Sequence, residues 1–147
     1  DKDVMLVIPC SQEKPYSRSR THSILTQKLN HRMEDIHKVT ISGMYGPVPK
    51  ECESLQPILE YDYVLAKEDT DQIELVTDRL VEYLDTHGDN YKDIIAYVTS
   101  KTYRGVIETA FREYGRGTVF PTDPQALQLT EFFRNENIDE LRDYLDS

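Results

Sequence analysis

No stretch of the 147-residue sequence approaches the roughly 18 consecutive apolar residues that a membrane-spanning helix needs, and its start has no signal-peptide pattern. A cytosolic location with no membrane partner is therefore expected. Cysteine is scarce. Cys10 and Cys52 stand without any CxxC or Cys/His spacing, which excludes a disulfide framework of the secreted kind and a zinc site of the usual pattern, and both are expected to be free thiols. The motifs GxxxxGK[ST], GxGxxG and HExxH are also missing, so nucleotide hydrolysis and dinucleotide binding are not expected, and nothing in the chain demands a metal or a cofactor. There is no initiator Met, and the opening DKDVMLVIP enters a strand almost at once. The expectation is a single α/β core domain over residues 1–147, part of a longer multidomain protein.

Excess positive charge is the next absence. A net charge of −10 argues by itself against a nucleic-acid binder. The distribution qualifies this: residues 14–33 carry Lys14, Arg18, Arg20, Lys28 and Arg32 with no acid, leaving −15 for the remainder. A local basic island on an acidic body can hold a phosphate or steer RNA to one face. The apolar fraction of 38% is low, yet it is concentrated in periodic runs, so the chain reads as folded.

What is present alternates strand and helix. Residues 4–8 form a continuous apolar run, as in a central strand of a parallel sheet. The loop 9–22 follows, then a helix that Thr21 or Ser23 can cap, with Ile24, Leu25, Leu29 and Met33 on one face. Residues 38–42 read as the next strand, ending in Gly43 and the shaped turn MYGPVPKE, where Gly43 and Gly46 let backbone approach a ligand and Tyr45 supplies an aromatic wall. Residues 52–67 hold no period, and Pro57 interrupts any long helix; Tyr61 and Asp62 could reach the site from there. The clearest helix covers 69–86, opened by an Asp69–Gln72 capping box and striped by Ile73, Val76, Leu80, Val81 and Leu84. A buried strand at 93–99, a helix over 104–114 capped by Thr102 and stopped at Gly115, and a strand at 117–120 come next. Asp123 and Pro124 read as a helix start, and Asn137 with Glu140 as the cap of a last helix, 138–145. The alternation predicts an α/β fold with a mainly parallel sheet of about four to five strands and helices on both faces.

The chemistry gathers in the loop 9–22, PCSQEKPYSRSRTH, which leaves the carboxyl end of a strand, where open α/β sheets bind ligands. Basic neighbours and a helix N-terminus favour the thiolate of Cys10, which could attack a carbonyl or nitrile carbon while His22 or Tyr16 moves protons. A buried Cys packing as a small hydrophobe fits the same local sequence. Lys14, placed by the Pro15 that follows, suits a phosphate or carboxylate anchor, a perturbed amine or plain solvated surface. Arg18 and Arg20 suit phosphate contacts. Ser19 and Thr21 suit helix capping or ligand hydrogen bonds.

The spacing Pro9-Cys10, three residues, Lys14-Pro15-Tyr16, two residues, Ser19, one residue, Thr21-His22 resembles the signature of the archaeosine synthases, archaeal relatives of the tRNA-guanine transglycosylases. In that family the penultimate position is Ser; Thr21 keeps the hydroxyl. The loop SGMYGPVPKE resembles a second segment of the same core domain. The resemblance covers most of the chain, without the family's transglycosylase-like and PUA RNA-binding domains. It implies a tRNA partner and an amidotransferase-like step, in which the nitrile of a 7-cyano-7-deazaguanine base becomes an amidine by addition of an amine donor such as lysine, with a radical-SAM protein completing the reaction in some lineages. On that basis Cys10, Lys14, Tyr16 and His22 are the candidate catalytic residues, and Arg18, Ser19, Arg20, Thr21, Gly43, Tyr45, Gly46 and Asp62 the candidate substrate-binding residues. Two other readings of the same loops are a non-catalytic tRNA-binding or scaffold domain that only holds phosphate, and a glycosylase-like domain whose loops enclose a flipped base.

Overall fold

The computed structural model describes residues 2–10, 19–60, 64–124 and 126–147. The first apolar run becomes β1 (Val4–Pro9), and Met5, Leu6, Val7 and Ile8 are all buried, which is why it is apolar at every position. β2 (Ile36–Ser42) lies parallel on one side of β1 and β4 (Asp93–Tyr97) parallel on the other. β5 (Thr118–Phe120) continues parallel beyond β4, while β3 (Gly46–Pro49) doubles back antiparallel on β2, giving the spatial order β3-β2-β1-β4-β5. The α/β fold with a mainly parallel sheet is as the sequence predicts. The turn expected at MYGPVPKE is partly an edge strand: Gly46 takes φ +82 and reverses the chain, and Pro47 and Pro49 suit an edge because an edge strand need not donate on its outer side.

Helices cover both faces. On one, Val76, Leu80 and Leu84 of α3 (Thr70–His87) and Val106, Ile107 and Ala110 of α4 (Lys101–Tyr114) pack on Met5, Val7, Val39, Ile41, Ile94 and Ala96. On the other, Leu25 and Leu29 of α1 (Arg20–Leu29) and Ile138 and Leu141 of α5 (Asn135–Asp146) pack on Leu6, Ile8, Ile95 and Tyr97. Alternate strand residues serve opposite layers, and each fully buried Leu or Ile contributes about 1.5–3 kcal/mol. A short α2 (Gln56–Glu60) precedes α3. Among the described residues no helix is long and apolar enough to cross a membrane.

Several helix starts differ from the sequence expectation, at α3 and α5 because the expected capping side chains bond elsewhere. Of the hydroxyls expected to be able to cap α1, Ser19 does so in place of Thr21 or Ser23, its Oγ accepting the His22 N–H at 3.2 Å. Asp69 and Gln72 form no capping box: Asp69 accepts the Ala66 N–H and Gln72 reaches the loop after β2. Ser100 rather than Thr102 precedes α4. Asp123 and Pro124 start no helix; the next helical turn is a 3-10 segment, Leu129–Phe133, where Tyr97 donates to the Phe132 carbonyl at 2.7 Å and Phe132 enters the core. Asn137 lies inside α5 and donates to the Glu131 carbonyl instead of capping. At the end of α4 Gly115 behaves as expected, left-handed at φ +90 with its N–H on the Phe111 carbonyl.

The topology places the site. From β1 the chain crosses to β2 on one side, and β4 lies on the other, so the direction of winding reverses between β1 and β4. Crevices at such a reversal, at the carboxyl ends of the strands, are where open α/β sheets hold ligands. The segments after Pro9, Ser42 and Tyr97 all emerge at that end. Buried Arg104 of α4 holds this rim together: Nη1 donates to the Val98 carbonyl at 3.1 Å and Nη2 to the Pro121 carbonyl at 2.8 Å, tying the exits of β4 and β5.

Candidate active site

Cys10 is the first residue beyond β1. Its N–H donates to the Ile41 carbonyl at 3.0 Å, which carries the ladder one step past the strand and fixes the position of the side chain. Its Sγ lies 3.1 Å from the hydroxyl of Tyr103, in the first turn of α4. Tyr103 is 4% exposed, and its oxygen accepts the Leu65 N–H at 2.8 Å. That bond orients the hydroxyl, so its proton can go to sulfur, or a remaining lone pair can accept the thiol proton. A thiol that follows β1 and a phenol that follows β4 therefore meet across the winding reversal.

Gly43 makes this arrangement possible. A Cβ there would stand 2.9 Å from both the Tyr103 hydroxyl and the Leu65 nitrogen, so only glycine lets the chain pass. The loop after it is held firmly: Ser42 Oγ accepts the Met44 and Tyr45 N–H groups at 3.1 and 2.9 Å, and Gln72 of α3 donates to the Gly43 carbonyl at 2.9 Å. Gly46 packs against Arg79. Tyr45 is exposed and lines a groove with Pro47, Arg79 and Tyr83 along the β3–α3 edge.

On the α1 side of the sheet the motif ends in a buried polar chain. His22 Nε2 lies 2.9 Å from the Pro9 carbonyl, and Nδ1 lies 3.1 Å from Lys38 Nζ, which pairs with Glu53 at 2.8 Å; the Lys38 and Glu53 side chains are only 3% and 4% exposed. Because an ammonium can only donate, Nδ1 accepts and Nε2–H donates to Pro9, which assigns the tautomer. Burial, followed by the charge of Lys38, lowers the His22 pKa to about 4. Burial also pushes Lys38 down, against the opposing pull of Glu53. His22 is thus a neutral imidazole bonded to the residue before Cys10. Thr40 in β2 and Thr99 beyond β4 flank the end of β1, and their buried hydroxyls have no hydrogen-bond partner among the described residues. An unpaired buried hydroxyl costs about 1–3 kcal/mol.

Of the other expected residues, Ser19 is buried as the α1 cap with Thr21 Oγ1 3.3 Å away, and the Arg20 guanidinium sits 5.5 Å from the centre of the Phe133 ring. Lys14, Tyr16, Arg18 and Asp62 lie outside the described residues. Tyr103, Lys38 and Glu53 escaped sequence reasoning. A lysine inside the strand run KVTIS was a usable signal, since a charge there requires a buried partner, and Tyr103 follows the strand that flanks β1. Nothing local marks Glu53.

Comparison with known proteins follows the same lines. A family model described as "Domain of unknown function (DUF5591)" matches residues 1–143. Archaeosine synthase subunit alpha of Methanosarcina acetivorans is 32% identical over 121 residues, 82% of this chain and 19% of that protein. Archaeosine synthase of Haloferax volcanii is 30% identical over 105 residues, 71% of this chain and 17% of that protein. The chain thus spans about a fifth of the length of these curated relatives. Among solved structures, the crystal structure of AF0587, described as a protein of unknown function, superposes with a TM-score of 0.73 at 25% identity, over 99% of this chain and 45% of that one. With its DUF5591 domain and these relatives, the chain belongs to the archaeosine synthase family.

Proposed function

We propose that this domain acts in archaeosine formation on tRNA, converting the nitrile of a 7-cyano-7-deazaguanine base to an amidine with an amine donor such as lysine. The observation that carries the chemistry is the Cys10–Tyr103 pair, 3.1 Å apart at the winding reversal of the sheet. The Cys10 thiolate adds to the nitrile carbon, forming a C–S bond while the nitrile nitrogen takes a proton, which gives a thioimidate. The donor amine then attacks the same carbon, the C–S bond breaks, and the thiol is regenerated as the amidine forms. Tyr103, oriented by the Leu65 N–H, supplies and recovers the proton. His22, with both ring nitrogens engaged, is a positioning residue that holds the Pro9 carbonyl beside the nucleophile. Thr40 and Thr99 are hydrogen-bonding groups for the bound base. Lys14 and Arg18 orient the donor's carboxylate or a tRNA phosphate, and Tyr16 assists proton transfer. A radical-SAM protein acts on the lysine adduct afterwards.

The reading predicts a mass gain equal to one amine donor when nitrile-bearing tRNA is incubated with the protein and candidate amines. It also predicts complete loss of that gain in Cys10→Ala with tRNA binding retained. Unchanged turnover by Cys10→Ala would remove the covalent route, and release of a free base in place of a mass gain would replace amidation with glycosylase chemistry.

A further inference from the structure

A second pocket lies on the α1 face, away from Cys10. It has a volume of about 360 Å³, within the usual range for small-molecule sites. Its floor is apolar, made by Met33 and buried Ile36. One wall is the α1 stripe Ser23, Thr26 and Gln27, three residues that share a helix face and carry hydroxyl and amide groups. Lys2 and Lys50 stand at the rim, both exposed, with one Lys2 N–H donated to the Glu34 carbonyl and its other two left for a ligand, and buried Lys38 reaches the lining from below. Among the described residues the lining holds no carboxylate. His37 also lines the pocket, and Glu51, which does not, bonds its Nε2 at 2.8 Å; Glu53 lies buried against Lys38. On a chain of net charge −10, a lining that holds two exposed ammonium groups and no carboxylate is a local environment that favours an anion.

Apolar floor, neutral hydrogen-bonding wall and cationic rim together match a nucleotide. We propose that this pocket is a nucleotide subsite for the RNA strand, with one nucleoside laid on Met33 and Ile36 and its phosphate between Lys2 and Lys50. The choice of RNA over a free nucleotide rests on the tRNA reading above. The pocket lies along the helix that the motif opens: Ser23 is one turn beyond the Ser19 cap, so the subsite holds the strand beside the reacting base rather than the base itself.

The chain's three methionines give a readout that needs no turnover. Met33 floors the pocket, Met44 is exposed on the loop after β2, and Met5 is in the core. With ¹³C-methyl methionine labelling, titration with a single-stranded oligoribonucleotide is expected to shift Met33 saturably and leave Met5 in place. Lys2→Gln/Lys50→Gln is expected to weaken binding about tenfold. The slope of log affinity against log salt should fall by about 0.7 for each phosphate deprived of its ammonium partner. Lys67→Gln, a lysine outside the pocket, should change neither. No Met33 shift, a shift of Met44 alone, or equal weakening by the Lys67 control overturns the subsite. A Met33 shift with GMP or inorganic phosphate but not with RNA overturns the RNA assignment. Failure of the amidine chemistry is separate, since it appears as absent mass gain while Met33 still responds to RNA.

Discussion

A single hydroxyl decides how Cys10 is presented. Tyr103 accepts from Leu65 on one side and meets Sγ on the other, in space that exists only because residue 43 lacks a side chain. Replacing it with Phe keeps the ring in the core and removes both bonds. Tyr103→Phe is therefore expected to lower the amidation rate about a hundredfold, the contribution of a placed proton donor, with substrate affinity unchanged. It should also lose about 1–3 kcal/mol of stability, because the buried Leu65 N–H is left without its acceptor. Steady-state kinetics and a urea melt separate the two effects. At this scale, residue types were legible in the sequence and partners were not. Cys10 and the glycines stand out locally, whereas Tyr103 lies 93 positions from Cys10 and becomes meaningful only when β1 and β4 are neighbours.

Among the elements, the least expected is β3. Two prolines within four residues read as a turn, because proline cannot donate to a ladder. Yet positions 47 and 49 share one side of the strand, and on an edge that side can face away from β2. The missing N–H groups then fall on the open edge, where a strand from another chain would need them. Pro47→Val/Pro49→Thr is expected to increase self-association, measured by light scattering against concentration, with little change in the monomer's far-UV signal. The long elements were read nearly to their ends, since α3 and α4 bury regular stripes and β1 is apolar at every position. Caps were read poorly. Capping patterns describe local choices, and in α1, α3 and α5 nearby or tertiary partners claimed the side chains.

For the whole molecule, His22 makes stability depend on pH in a defined direction. Its pKa is about 4 in the fold against about 6.5 when unfolded, so as pH falls the unfolded chain binds the proton first. The contribution of a buried neutral His22 is complete above about pH 6.5 and is lost progressively towards pH 4, about 3 kcal/mol in all. The stability difference between the native chain and His22→Asn should shrink by that amount over the interval, as read from denaturant melts at a series of pH values; a constant difference would mean that His22 does not stay neutral in the fold. Because His22 bonds Pro9 and Lys38, the same proton that destabilises the fold also disturbs the platform under Cys10.

The fork of Arg104 extends this to the far side of the sheet. One guanidinium bonds both the Val98 and the Pro121 carbonyls, so the exits of β4 and β5 are cross-linked through a single buried side chain, as the two arms of a bracket. Thr99 follows directly on one arm of that bracket, and Thr122, bonded to Glu140 of α5, follows on the other. A continuous run of bonds and covalent links therefore joins Glu140 of α5 to Thr99, a hydroxyl beside the end of β1, so the last helix is anchored to the rim of the cleft although it lies on the outer face of the sheet.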